Sequence, residues 1–285
     1  MPWKSAEDKK KRAEIFQDTL AYLKENETLK KAVVFSIENN KFYPEIAIPA
    51  PGEKRDVPGV IEVSEERSFE SAIRLSKENP EKKVAVLNFA SASNPGGGVV
   101  HGAGAQEECL CRTSTLYPAL DDKVMRHVFY NQHKYHGNNL HNDDCIYTPG
   151  VVICKTDTAF PERVPEEEFV TVDIITCAAP NLNPKNTKRY SGDNPMVDFI
   201  SDEDLYKLHY KRCCRILEVA AENSVDILIL GAFGCGAFKN DPKIVAKAMH
   251  DASKAYANYF DKIVFAIKKG RGADSNYNIF ANEMA

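Results

Sequence analysis

The chain has 285 residues, with 37 Lys+Arg against 41 Asp+Glu and a formal net charge of −4. That length fits one large domain, or a domain with an accessory lobe, and is ample for a sizeable core. Hydrophobic residues at 43% and charged residues at 27% exclude global disorder, and the slightly acidic balance argues against a dedicated nucleic-acid binder, which carries a basic surplus or a basic face.

Ser5 followed by Glu7 and Asp8 is a helix start, and Ala13, Phe16, Leu20 and Leu23 then recur at three- and four-residue spacing, which predicts an amphipathic helix from Ser5 to Asn26. Residues 31–37 and 42–48 are short strand-like segments, and the Pro- and Gly-containing stretch 49–58 is a loop. From Val60 the pattern becomes one of short apolar runs alternating with longer helical stretches. Val60–Val63 is predicted as a strand, Ser68–Asn79 as a helix and Lys83–Phe89 as a buried strand. A Gly-rich segment, Asn94–Gly104, leads into a helix from Gln106 to about Tyr117. Strands follow at residues 144–153 and 168–178, then a helix over 202–221, a strand over 225–230, a helix over 242–260 and a closing strand over 262–267.

Runs such as VDILIL and KIVFAI are apolar on both faces, as strands sandwiched between helical layers must be. The expected fold is therefore α/β: three layers around a mixed, largely parallel sheet, in a domain spanning residues 60–285. Residues 1–59 would form a mostly helical accessory cap.

No apolar run approaches the roughly 18–20 residues that cross a bilayer, so no membrane partner is expected. The charged Met1–Arg12 is followed by no apolar stretch, so no secretory signal is expected either, and a cytoplasmic protein is. The eight cysteines, at 109, 111, 145, 154, 177, 213, 214 and 235, include no CxxC pair and read as reduced thiols used as small apolar side chains. His133, His136, His141, Asp143, Asp144 and Cys145 match no metal-site spacing; Gly137-Asn-Asn among them indicates a polar surface loop.

Two Gly-rich loops each follow a strong strand: Asn94-Pro-Gly-Gly-Gly-Val-Val-His-Gly-Ala-Gly104 and Gly231-Ala-Phe-Gly-Cys-Gly-Ala-Phe238. In open α/β sheets ligands sit beyond the C-terminal strand ends, where glycines let backbone N–H groups approach a phosphate. Two such loops suggest a diphosphate held between them. Neither fits Gly-x-x-x-x-Gly-Lys-Ser/Thr, and Gly234-x-Gly236 lacks the third glycine of a dinucleotide fingerprint. Directly after the first loop comes Gln106-Glu107-Glu108. Helical neighbours point about 100° apart, so the two carboxylates cannot do the same job.

Asn88-Phe-Ala-Ser91, Asn94-Pro-Gly-Gly-Gly98 and, seven residues on, Gln106-Glu-Glu108 together resemble the signature of the poly(ADP-ribose) glycohydrolases, in their compact bacterial-type branch. The second Gly loop, Ile175-Thr-Cys-Ala-Ala-Pro-Asn181 and Tyr147-Thr-Pro-Gly-Val-Val also resemble that branch. The resemblance implies a macrodomain that hydrolyses ribose–ribose O-glycosidic bonds in poly(ADP-ribose), releasing ADP-ribose, with no metal and no cofactor. By position Glu108 matches the catalytic acid/base and Glu107 the neighbour that orients the ribose. Asn88 and Ser91 match contacts to the distal ribose, and Gly96, Gly97, Gly98 and Val99 a wrap around that ribose and the β-phosphate. Gly234, Cys235, Gly236, Ala237 and Phe238 would wrap the diphosphate from the other side, and Gln106 joins this ligand-binding set. Asn278 and Phe280 resemble the branch's terminal motif at the adenosine end; closure there would give exo-type cleavage. Two alternatives share the site: a hydrolase of mono-ADP-ribosylated protein, nucleic acid or small conjugates, and a non-catalytic ADP-ribose reader. The intact Gln106-Glu107-Glu108 argues against the reader, which has no need of an acid there.

Overall fold

The computed structural model describes residues 5–185, 197, 199–269, 272 and 275–285; residues 1–4 of the expected cap lie outside the described residues. In chain order the elements are α1 (Ala6–Glu25), α2 (Glu27–Asn39), β1 (Lys41–Tyr43), β2 (Val60–Ser64), α3 (Ser68–Glu78), β3 (Val84–Phe89), α4 (Gln106–Thr113), α5 (Leu116–Leu120), α6 (Lys123–Met125), α7 (Asn131–Tyr135), β4 (Cys145–Ile153), β5 (Val170–Cys177), α8 (Asp202–Glu222), β6 (Ile227–Leu230), α9 (Pro242–Tyr256), β7 (Lys262–Ala266) and α10 (Asn276–Glu283). Among these, no helix is long and apolar enough to cross a membrane.

The seven strands form one sheet in the order β1-β4-β5-β3-β6-β7-β2. β4 is antiparallel to both its neighbours, while β5, β3, β6, β7 and β2 pair parallel. The mixed, largely parallel sheet expected from the sequence is what the structure shows. β3 explains why its sequence is apolar without alternation. Val84 and Val86 enter the core shared with α1, α3, α4 and α5, while Ala85 and Leu87 enter the core under α8, α9 and α10. Both faces of the strand are buried, giving three layers.

Local chemistry sets the boundaries. Ser5 Oγ accepts Asp8 N–H at 2.9 Å and starts α1, whose buried side chains are Arg12, Phe16, Thr19 and Leu23. Asn26 then does two jobs, closing α1 through its N–H to Tyr22 O and capping α2 through Oδ1 to Leu29 N–H. That cap corrects the strand expected at 31–37, which lies inside α2. The β-branched pair Val33-Val34 is a weak local preference, and a capped helix packed on β4 outweighs it. The strand expected over 42–48 ends at Tyr43. Pro44 cannot extend the ladder, and its carbonyl accepts Ala47 N–H in a turn that leaves Ile46 and Ile48 exposed.

Three further differences bear on the site. The helix expected over 106–117 breaks after Thr113: Ser114 is extended, and Thr115 bonds Val152 through its N–H and its Oγ1. The described part of the expected cap is helical over Ala6–Glu25 and Glu27–Asn39, but β1 is an edge strand of the common sheet. The segment 133–145 is solvated only at residues 134–136, since His133, Asn139, Asp143 and Asp144 are buried. Arg212 of α8 gathers it, donating to Asp143 Oδ1 at 2.8 Å and to the carbonyls of Leu140, His141 and Ala178. Polar residues resemble a surface loop until a buried guanidinium supplies their partners.

Candidate active site

β3 and β6 are neighbours, so the loops leaving their C-terminal ends stand side by side. Phe89 at the end of β3 packs edge-on against Phe233 of the second loop, ring centroids 5.6 Å apart. A cleft of about 580 Å³ opens there. Ser91, Glu107 and Glu108 line it, as do Gly234, Gly236, Ala237 and Phe238 of the second loop, with Ala179 beside Gly234.

Glu107 and Glu108 occupy the first turn of α4, and their side chains diverge as neighbours on a helix must. Glu107 is 3% exposed: Oε2 accepts Ser91 N–H at 2.7 Å and Oε1 accepts from Asn88 Nδ2 at 3.4 Å. Burial, and then the adjacent Glu108 carboxylate, push its carboxyl well above the usual range; the N–H groups of Ser91 and Gly96 and the Asn88 amide oppose this only in part. Glu108 is 8% exposed and differently held. Its Oε1 accepts Gly98 N–H at 2.9 Å, while Oε2 is buried with no hydrogen-bond partner.

The first loop is shaped around these acids. Gly97 sits at φ +58°, where a Cβ would lie 2.6 Å from Glu108 Oε1 and 3.0 Å from Glu107 Oε2, so only glycine fits. Its N–H groups are committed within the protein: Gly97 to Asn94 O, Val99 to Gly96 O, and Gly98 to Glu108. Val99 is fully buried. This loop therefore cradles two carboxylates with its own backbone. Gln106 also has its polar atoms committed, with Oε1 to Phe89 N–H and Nε2 to Ser68 Oγ and Leu87 O. It ties the start of α4 to the end of β3.

The second loop is held from behind by neutral groups. Buried Asn240 donates to Gly234 O and Pro180 O, at 3.0 and 2.7 Å, and accepts from His209 Nε2 at 2.9 Å. Burial pushes His209 down to about 4. In front, Gly236 is exposed, and a Cβ there would meet nothing within 4 Å. Cys235 turns inward: its N–H bonds Ala232 O, its thiol lies 3.7 Å from Phe233 O, and burial pushes the thiol up. Phe238 lines the cleft with the His141 ring behind it at 6.3 Å. Phe280 is wholly buried against Phe265, with centroids 5.8 Å apart, so its ring belongs to the core.

Sequence reasoning missed several residues here. Arg67 and Asp157, an ion pair at 3.6 Å, line the cleft, as do Lys268, Asn276 and Arg12. Of these only Arg12 carries a sequence signal, a charge four residues before Phe16 on the apolar face of α1. His209 and Asn240 carry none. Among the described residues no group of three or more His, Cys, Asp or Glu side chains could hold a metal ion.

Residues 11–156, just over half of the chain and including both glutamates, match the family described as microbial-type PARG, catalytic domain. The chain belongs to that family. Its activity is that of a poly(ADP-ribose) glycohydrolase, a glycosidase. The fold is similar to the poly(ADP-ribose) glycohydrolase of Thermomonospora curvata, at 29% identity and a TM-score of 0.79 over 95% of this chain and 98% of that one. The same enzyme bound to the inhibitor ADP-HPD matches with a TM-score of 0.76, also at 29% identity and with the same coverage. The glycohydrolase of Deinococcus radiodurans in complex with ADP-ribose matches at 28% identity and a TM-score of 0.71, over 88% of this chain and 96% of that one. No curated protein matches the chain.

Proposed function

We propose that Glu108 is the acid/base of this glycohydrolase and that Glu107 orients the ribose whose anomeric carbon reacts. The observation that supports this most is the state of the Glu108 carboxyl. One oxygen is fixed by Gly98 N–H, and the other is buried, unpartnered and beside the cleft. A ribose–ribose bond breaks through an oxocarbenium-like state, so the leaving hydroxyl oxygen needs a proton. Glu108 supplies that proton through Oε2, and the resulting carboxylate then removes one from the attacking water. Glu107, held protonated to higher pH than an ordinary carboxyl, keeps a second negative charge away from Glu108 and from the ligand's diphosphate.

The ADP-ribose unit of the proposal lies across the cleft, with its diphosphate over Gly234–Phe238 and its adenosine toward Ile267, Lys268 and Asn276. Ser91 and Asn88 act through Glu107 and border the distal ribose. Exo-type cleavage is part of the proposal, with a polymer end seated against the Lys268 and Asn276 wall. A reducing, cytoplasmic setting belongs to it too, since eight cysteines without a CxxC pair suit a compartment where thiols stay reduced.

The test incubates purified protein with poly(ADP-ribose) and with mono-ADP-ribosylated peptide, following ADP-ribose release and early product lengths. Wild type is expected to release ADP-ribose monomers from polymer from the first time point. Glu108→Gln is expected to lose about 10²–10⁴-fold in kcat while still binding ADP-ribose. Unchanged turnover by that variant removes Glu108 from the mechanism, and oligomers among the first products remove the exo assignment.

A further inference from the structure

The seven residues between the glycines and the acids, Val99–Ala105, have no partner in the chemistry above, yet they are tightly held from outside the loop. Arg12 of α1, 3% exposed, donates from Nε to Gly102 O at 2.8 Å. Arg112 of α4, 1% exposed, donates from Nη2 to Ala103 O and from Nε to Arg12 O, the latter at 3.2 Å. Thr19 Oγ1 closes α1 onto α4 by donating to Arg112 O at 2.6 Å. The backbones also touch: Gly102 sits at φ +69°, and a Cβ there would collide with Lys9 O of α1. At the other end of the loop, Phe16, one turn beyond Arg12, packs edge-on against Tyr117 with ring centroids 4.9 Å apart. The Tyr117 ring lies directly under Gly96, where a Cβ would be 2.8 Å from it.

These contacts form a closed circuit. Glu108 and Arg112 are one helical turn apart on α4, so they face the same side. Glu108 holds Gly98 N–H, and Arg112 holds Ala103 O. Ala103 N–H in turn bonds Gly98 O at 3.1 Å, joining the two anchored ends of the loop. α1 backs the whole ring through Arg12 at one point and Phe16 at the other. A shift at Gly102 or Ala103 is thus transmitted to Gly98 and to the Glu108 oxygen it fixes. Burying two guanidinium groups is costly unless donors are met; Gly102 O meets Arg12 Nε, and Ala103 O and Arg12 O meet Arg112 Nη2 and Nε.

We infer that Arg12 and Arg112 are positioning residues of this glycohydrolase, clamping the Gly98–Gly104 loop so that Glu108 is aimed at the reacting bond, and that α1 is part of the catalytic framework. The inference rests on Glu108 being the acid/base. The clamp sits on the reacting flank and touches none of Gly234–Phe238, so it governs kcat more than ADP-ribose affinity. Misplacing a reacting group by about 1 Å can cost around 10²-fold in rate.

The experiment compares Arg12→Met with Arg12→Lys in the full chain, measuring kcat on poly(ADP-ribose), Kd for ADP-ribose and the thermal midpoint. Methionine keeps the bulk without a donor; lysine keeps the charge and a donor that can reach Gly102 O. The clamp requires kcat to fall about 10–100-fold in Arg12→Met, with Kd within about threefold, and to recover to within about fivefold of wild type in Arg12→Lys. Equal kcat in the two variants, or kcat and affinity falling in step, overturns it, because packing alone would not distinguish them. Gly102→Ala attacks the same contact from the loop side and keeps the question open to test if the methionine variant does not fold; an unchanged kcat there also overturns the clamp. Glu108→Gln run alongside separates the two ideas, since activity in that variant defeats the acid/base assignment whatever Arg12 does.

Discussion

The two Gly-rich loops that leave the neighbouring strands β3 and β6 share a composition and a place in the sheet, but their polar groups are used in opposite ways. In the loop after β3, backbone N–H groups and carbonyls are committed to the protein's own charges: Gly98 to Glu108, Gly102 to Arg12, Ala103 to Arg112. In the loop after β6, the support comes from behind and is neutral, through His209 and Asn240, and the front at Gly236 is open. A group that must react has to be fixed in direction; a surface that must receive a ligand has to be fixed in shape while its face stays free. On the proposed mechanism, the first loop would therefore belong to rate and the second to affinity.

Gly97→Ala is the most severe way to test the rate side. The new Cβ would have to displace the Glu108 carboxylate that Gly98 holds, at a φ that alanine rarely adopts. A loss of about 10²-fold in kcat is expected, with ADP-ribose affinity changed far less. Steady-state kinetics beside equilibrium titration with ADP-ribose would show it, and a loss confined to Kd would reverse the roles assigned to the loops.

Asn240→Ala does the converse. It removes the bonds to Gly234 O and Pro180 O and leaves His209 Nε2 without its acceptor, a buried deletion of the kind that costs about 1–3 kcal/mol. ADP-ribose affinity is expected to weaken about tenfold, near 1.4 kcal/mol, with kcat at saturation nearly kept. If kcat collapses while Kd holds, the second loop is not the affinity side.

The same network sets a pH dependence. His209 is pushed down to about 4 by burial, whereas an unfolded histidine titrates near 6.5. The fold thus keeps it neutral, and between those values the unfolded chain binds the extra proton. Stability contributed by neutral His209 is present above about pH 6.5 and is lost as pH falls toward 4, on the order of 3 kcal/mol in all. His133 and His141, also pushed down by burial, add with the same sign. Urea unfolding at pH 7, 5.5 and 4.5 should show the decline, with a shallower slope in His209→Gln; equal slopes would mean His209 does not contribute.

Much of this was legible in the amino-acid order, and what was not has a common cause. Ser5, Asp202 and Pro242 mark helix starts within a residue of where they fall, because caps and first turns are local. Strands such as Val84–Phe89 announce themselves by being apolar on both faces. Glu107 and Glu108 stand out as adjacent acids behind a glycine loop, and their divergence follows from helix geometry. Which neighbour serves which residue is another matter. Arg12 reaches Gly102 across 90 positions, Arg212 reaches Asp143 across 69, and His209 reaches Asn240 across 31. Those partners are fixed by how α1 and α8 pack, and no spacing rule encodes that. The strand expected at 31–37 fails for the same reason in miniature, since Asn26 and the docking on β4 decide it.

The gentlest probe is Gly236→Ala, and its value lies in how little it should do to the protein. Gly236 needs no positive φ, is exposed, and has nothing within 4 Å of where the added methyl would sit, so stability should move by no more than about 0.5 kcal/mol. The same methyl would stand in the cleft where the proposal puts the diphosphate, lengthening contacts that a glycine backbone allows. ADP-ribose affinity should therefore fall about three- to tenfold at constant thermal midpoint, with kcat at saturating polymer unchanged. Because neither folding nor the acid is touched, an unaltered Kd has one reading: the diphosphate does not pass over Gly236, and the open front of the second loop serves something other than the ligand's phosphates.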